Sequence, residues 1–274
     1  RQLHEHVRRR SERLAAEIER IGSIDDEQRD RRRRVEQVVA DADVVMTMLF
    51  QPIVELESGE LLGAEALARF SAAPIRPPDE WFADAAEAGL GVQLELAAAR
   101  QALRQATSLP EHAYLSLNVS PATFRSPALH DLLRAPAARP IVLELTEHDQ
   151  ITDYVPIIDA ARELRSYGCR LAVDDAGSGF ASLQHVLRLD PDFIKLDLEL
   201  VRGIDTDLAR RSLASALVRF SEETGAALIA EGIETQGELD VLRELGVKIG
   251  QGHILGPPSH LPQPQAIPSG TPRG

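Results

Sequence analysis

The chain of 274 residues is short of several residue types at once: it has one cysteine, Cys169, two lysines, Lys195 and Lys248, and one asparagine, Asn118. One cysteine excludes an internal disulfide and suits a reducing compartment. No run of about 18 apolar residues occurs, so nothing reads as a membrane-spanning helix. Residues 1–10 lack the apolar segment of a secretion signal, and the chain does not begin with Met. The expectation is a fragment of a longer cytoplasmic protein. The sequon Asn118-Val119-Ser120 then carries no glycan. The shortage of lysine is a compositional habit with no function of its own, but it makes the surviving lysines and asparagine worth locating.

What is present is acid. The formal net charge is −13, and residues 1–43 contribute nothing to it, holding 11 arginines and 11 acidic residues. The whole imbalance sits in residues 44–274. An acidic body argues against DNA or RNA as a partner. A small phosphate ligand held through divalent metals stays compatible.

Residues 1–43 read as a helical linker. Leu3, Val7, Leu14, Ile18 and Ile21 recur at helical spacing, Gly22-Ser23 breaks the pattern, and Ser23 with Asp26 resembles a capping box that opens a second helix. The run Arg31–Arg34 lies among acids and has no aromatic neighbours, which suits a solvated face. From residue 44 the pattern alternates. Strands are expected at 45–56 and 61–68 around a Ser58-Gly59 turn, then at 114–119, 141–145, 170–173, 193–196, 226–230 and 247–249. Helices are expected at 79–106, 154–166, 181–188, 207–223 and 235–244. Eight strands with crossover helices predict an α/β fold of the (β/α)8-barrel type. No GxGxxG turn supports an open doubly wound sheet. Residues 261–274, rich in proline, are expected to be disordered.

Almost every strand ends in a polar group. Glu65, Asn118, Glu144, the pair Asp174-Asp175, Lys195, Glu231 and Gln251 each follow an apolar run. One acid after a strand is usually a helix cap. Seven in succession, at the end of a barrel where catalytic groups gather, point to a site. Hard oxygen donors select Mg2+ or Mn2+, with Ca2+ also open, and no His or Cys pair has zinc spacing. Such a cluster beside a lysine and a glutamate suits metal-assisted hydrolysis of a phosphoester.

The motifs themselves are familiar as a set: Gln51-Pro52-Ile53, Glu65-Ala66-Leu67-Ala68-Arg69, Asn118-Val119-Ser120-Pro121, Glu144-Leu145-Thr146-Glu147, Asp174-Asp175, Lys195-Leu196-Asp197, Glu231-Gly232-Ile233-Glu234 and Gln251-Gly252. In this order they resemble the EAL domain family, the phosphodiesterases of cyclic di-GMP, over residues 46–258. The resemblance implies a modified TIM barrel whose first strand is antiparallel, and hydrolysis of cyclic di-GMP to linear pGpG with one or two Mg2+ or Mn2+ ions. It implies metal ligation by Glu65, Asn118, Glu144 and Asp174, with Asp175 supporting a second ion. Lys195, Glu231 and Gln251 become the catalytic group, Glu231 as general base or as partner of a metal-bound water. Gln51, Arg69 and Asp197 fall on the substrate side, and Glu147 anchors the following loop through Ser178. Residues 1–43, read as a helical connector, add the expectation of an upstream sensor and a homodimer. A cyclic di-GMP-binding sensor domain with little or no catalysis is the alternative. One departure stands out: the usual Phe-Gly-Thr-Gly after the aspartates is Ala176-Gly177-Ser178-Gly179 here. Both glycines are kept and an aromatic ring is lost.

Overall fold

The computed structural model describes residues 26–134, 139–145, 151, 153–176 and 180–260. Eight strands close a barrel in chain order. They are β1 (Met46–Glu55), β2 (Leu61–Phe70), β3 (Tyr114–Val119), β4 (Ile141–Leu145), β5 (Arg170–Ala176), β6 (Phe193–Leu196), β7 (Ala227–Ala230) and β8 (Ile249–Gly250). β1 runs antiparallel to both neighbours, β2 and β8, while every other pairing is parallel. The expected α/β barrel with its antiparallel first strand is therefore the observed fold. The hairpin that reverses β1 turns through Gly59 at φ 77°, a backbone region open to glycine at no steric cost.

Helices wrap the strands: α1 over 26–40, α2 (Ala42–Val45), α3 (Pro78–Glu87), α4 (Gly91–Gln105), α5 (Pro121–Phe124), α6 (Pro127–Arg134), α7 (Val155–Ser166), α8 (Phe180–Leu189), α9 (Leu198–Val201), α10 (Leu208–Thr224) and α11 (Gln236–Glu244). The single helix expected at 79–106 is two helices. Gly89, at φ 71°, breaks the helical path between them. Short α5 and α9 escape sequence periodicity because each is one capped turn. Ser120 accepts from the Thr123 amide, and Asp197 from the Glu199 amide. α1 buries Val35 and Val38 in the same core cluster as the outward residues of β1 to β4.

The strands are buried on both faces, and their period of two sorts the side chains. Leu115, Leu117, Leu143 and Leu145 pack outward with the helices. Their alternates point inward, where Ile53, Tyr114, Val142, Ala172, Phe193 and Ile229 form a separate plug. Gly63 makes room for this plug: a Cβ there would stand 2.6 Å from the Tyr114 ring. The next positions of the same parity are Gln51, Glu65, Ser116, Asn118, Glu144, Asp174 and Lys195 on the strands, with Glu231 and Gln251 one residue past the ends of β7 and β8.

Candidate active site

Lys195 is the hub of that second tier. It is 1% exposed, and its Nζ lies 2.6 Å from Glu144 Oε2, 2.6 Å from Glu231 Oε1, 3.6 Å from Asp174 Oδ1 and 3.8 Å from Glu65 Oε2. Glu65 is held from two sides, accepting from Asn118 Nδ2 at 2.6 Å and from Gln251 Nε2 at 2.6 Å. Gln251 also donates to Gln51 Oε1 at 3.0 Å, which carries the network across to β1. Register explains the convergence: Gln51 faces Glu65, and Asn118 faces Glu144 in neighbouring strands. On β5 one extra residue enters the ladder between Val173 and Ala176, at the paired aspartates. Bulges of this kind re-aim side chains beside active sites.

The electrostatics are one-sided, with four carboxylates around one ammonium. Burial pushes the Glu144 carboxyl up to about 8; Lys195 pulls it down, and Glu65 and Asp174 push it further up. Burial likewise raises Glu231 well above the usual carboxylate range, against the pull of Lys195. For Lys195 burial works against the charge, but Asp174, Glu144, Glu231 and Glu65 together outweigh it and raise the amine well above its usual range. The site is thus short of positive charge. In addition, Gln251 Oε1 is buried with no donor among the described residues.

Among the described residues no three acidic, His or Cys side chains close on one point as a ready-made metal cage. The carboxylates close on the lysine instead, and Asn118 turns its amide nitrogen toward Glu65. A flip of that amide presents Oδ1 without moving the carbon skeleton. The donor set is all oxygen, carries excess negative charge and keeps one carbonyl unused. These residues fit a hard divalent cation.

A cavity of about 310 Å³ opens over Lys195, lined by Gln51, Glu65, Asp174, Glu231 and Gln251 together with Leu198, Glu234 and His253. A second cavity, of about 300 Å³, shares no lining residue with the first; β2, α3 and α4 wall it, with Arg69, Asn118 and Phe82 among its residues, so Arg69 lines this cavity and not the one over Lys195. Arg69 donates to its neighbour's carbonyl, Ala68 O, at 2.8 Å. Asp197 stands two residues beyond Lys195 and caps α9. Asp175 lies on β5, and its side chain falls outside the described residues, as do Glu147 and Ser178. Sequence reasoning passed over Ser116, which is fully buried and donates from Oγ to Glu144 Oε1. The signal was available: Ser116 precedes Asn118 by two, so a strand puts both on one face.

Comparison with known proteins places the chain in a family. The sequence model of the EAL domain matches residues 36–258. An uncharacterized signaling protein of Caulobacter vibrioides is 32% identical over 252 residues, covering 86% of this chain and 30% of that protein. The probable cyclic di-GMP phosphodiesterase PdeD of Escherichia coli (strain K12) is 31% identical over 221 residues, covering 77% of this chain and 41% of that protein. Klebsiella pneumoniae BlrP1, solved as a calcium and cyclic di-GMP complex, superimposes with a TM-score of 0.71 at 29% identity, covering 79% of this chain and 56% of that one. The chain spans 27–34% of the length of three of the relatives it matches, the Caulobacter protein among them. No helix among the described residues is long and apolar enough to cross a membrane. A match running from α1 past β8, on a closed barrel with an antiparallel first strand, makes the chain a member of the EAL domain family.

Proposed function

We propose that the chain hydrolyses one phosphodiester of cyclic di-GMP to give linear pGpG, with Mg2+ or Mn2+. One observation carries the reading: the buried Lys195 ammonium within 4 Å of Glu65, Glu144, Asp174 and Glu231 at the polar end of the barrel. Relatives named as cyclic di-GMP phosphodiesterases share the family, and the net acidity of the barrel agrees with a phosphate ligand reached through cations.

Glu65, Asn118, Glu144 and Asp174 would hold the cation, with Asp175 toward a second. When bound, it supplies Lewis-acid chemistry toward the phosphate oxygens. Glu231 accepts the proton of the attacking water at its carboxylate. The water oxygen bonds to phosphorus, the P–O3′ bond breaks, and the departing 3′ oxygen takes up a proton. Lys195 keeps Glu144 and Glu231 oriented, and its compact ammonium faces the charge that develops on phosphate. Arginine's broad fork would not enter a space bounded by two carboxylates at 2.6 Å. Gln251 fixes Glu65 and offers Oε1 to a donor. On the rim, Arg69 meets substrate phosphate, and Gln51 and Asp197 meet the nucleotide.

The test is a product assay with purified protein, cyclic di-GMP and each metal in turn. The reading expects pGpG from the wild type and none from Glu65→Ala or Glu231→Ala. Tight binding of cyclic di-GMP with no pGpG under either metal would make the chain a binding module instead. The same reading takes residues 1–43 as the connector from an upstream sensor, acting on a homodimer. Removing residues 1–25, which leaves Val35 and Val38 in place, should change oligomeric state or basal rate. If neither changes, the segment is only a tether.

A further inference from the structure

Ser116 is an oddity of composition within the barrel. It is fully buried, one step along β3 from the apolar plug of Ile53, Val142, Ala172 and Ile229. A hydroxyl removed from water is destabilising unless it finds a partner. Its partner is Glu144, which accepts from Ser116 at Oε1 and from Lys195 at Oε2. The inward face of β3 therefore governs both flanking strands. Asn118 donates to Glu65 on β2, and Ser116, one alternation below, donates to Glu144 on β4. The Glu144 side chain is 1% exposed, so water cannot do this work.

We propose that Ser116 is the positioning residue for Glu144, fixing its carboxylate so that Oε2, the oxygen that meets Lys195, and not Oε1, is the one turned toward the polar cluster that would hold the cation. The inference rests on the reading of Glu144 as a cation ligand. Partners behind a metal ligand typically set affinity by about 10- to 100-fold. Alanine at 116 fills nearly the same volume and removes only the donor.

The experiment is Mn2+ binding without substrate, followed by electron paramagnetic resonance, on wild type, Ser116→Ala, Glu144→Gln and the double variant. Thermal unfolding and pGpG formation are measured in parallel. Ser116→Ala should weaken Mn2+ by about tenfold and lower kcat more than it raises KM. In the Glu144→Gln background the same change should do nothing further. A merely structural serine would lower the melting temperature and leave Mn2+ affinity in place. Ser116→Ala binding Mn2+ as the wild type does, or losing as much in the Glu144→Gln background, overturns the proposal. If Glu144→Gln binds Mn2+ as tightly as the wild type, the cation reading of Glu144 falls first and takes this role of Ser116 with it.

Discussion

The interior of the barrel contains two tiers made by the same strands. In the lower tier Ile53, Tyr114, Val142, Ala172, Phe193 and Ile229 pack as an apolar plug. Two residues further along, the strands present Glu144, Asp174, Lys195 and Glu231 around one ammonium. Backbone, parity and pairing are shared, so the difference lies wholly in side-chain chemistry. The lower tier holds the strands together by burial. The upper tier spends part of that stability on buried charge, which is tolerable only because the plug beneath is sound. A barrel can carry a destabilising site where its strands are already committed by packing.

The largest effect should come from removing the hub. Lys195→Met leaves Glu144 and Glu231 buried without their partner, a loss of about 3–5 kcal/mol for a broken buried pair, and pGpG formation should vanish. Denaturant unfolding and product assay together check this. A mutation in the plug should behave differently. Phe193→Ala removes a ring that stacks at 5.4 Å on Tyr114, and should lose about 3–5 kcal/mol. Its turnover per folded molecule should remain close to wild type, as measured at a temperature where both are folded.

The tiers should also part company with pH. In chelator, the unfolded chain gives up the Glu144 proton near the usual carboxylate range, while the folded chain keeps it to about 8. The folded state therefore binds more protons across that window, so stability falls as pH rises from about 5 toward 8. Thermal unfolding of wild type against Glu144→Gln should show the larger fall in wild type. Added Mn2+ should stabilise more at pH 8 than at pH 6, since it needs the ionised carboxylate. The smallest effect belongs to the one polar group of the lower tier. The Tyr114 hydroxyl is buried with no partner among the described residues. Tyr114→Phe removes an unmet group and should leave stability unchanged or raised, by up to about 1 kcal/mol in calorimetry.

The upper tier was legible in the sequence because seven apolar runs lead into a polar residue, and the motifs fix their order. Scarcity helped: one of two lysines and the sole asparagine fall on this tier. The convergence of Glu144 and Glu231 on Lys195 was not legible, since it joins β4, β6 and β7 across the barrel. Local pattern also missed Ser116, whose role depends on a partner 28 residues away. The break between α3 and α4 had a signal in Gly89, which the apolar periodicity on both sides outweighed. The last strand sits two residues later than its apolar run, at Ile249–Gly250, because pairing with Val54 and Glu55 of β1 and with β7 decides its bounds. Lys248 is exposed at the foot of β8, beside a cavity of about 310 Å³ at the far end from the site. Nothing in the structure assigns it a part.

The most direct measurement sets the two tiers side by side: pGpG released from cyclic di-GMP with Mn2+ by wild type, Lys195→Met and Phe193→Leu, each normalised to folded protein. The division of labour predicts product from wild type and from Phe193→Leu at comparable rates, and none from Lys195→Met. Product from Lys195→Met at the wild-type rate, or its absence from the wild type, would contradict the assignment of catalysis to the polar tier.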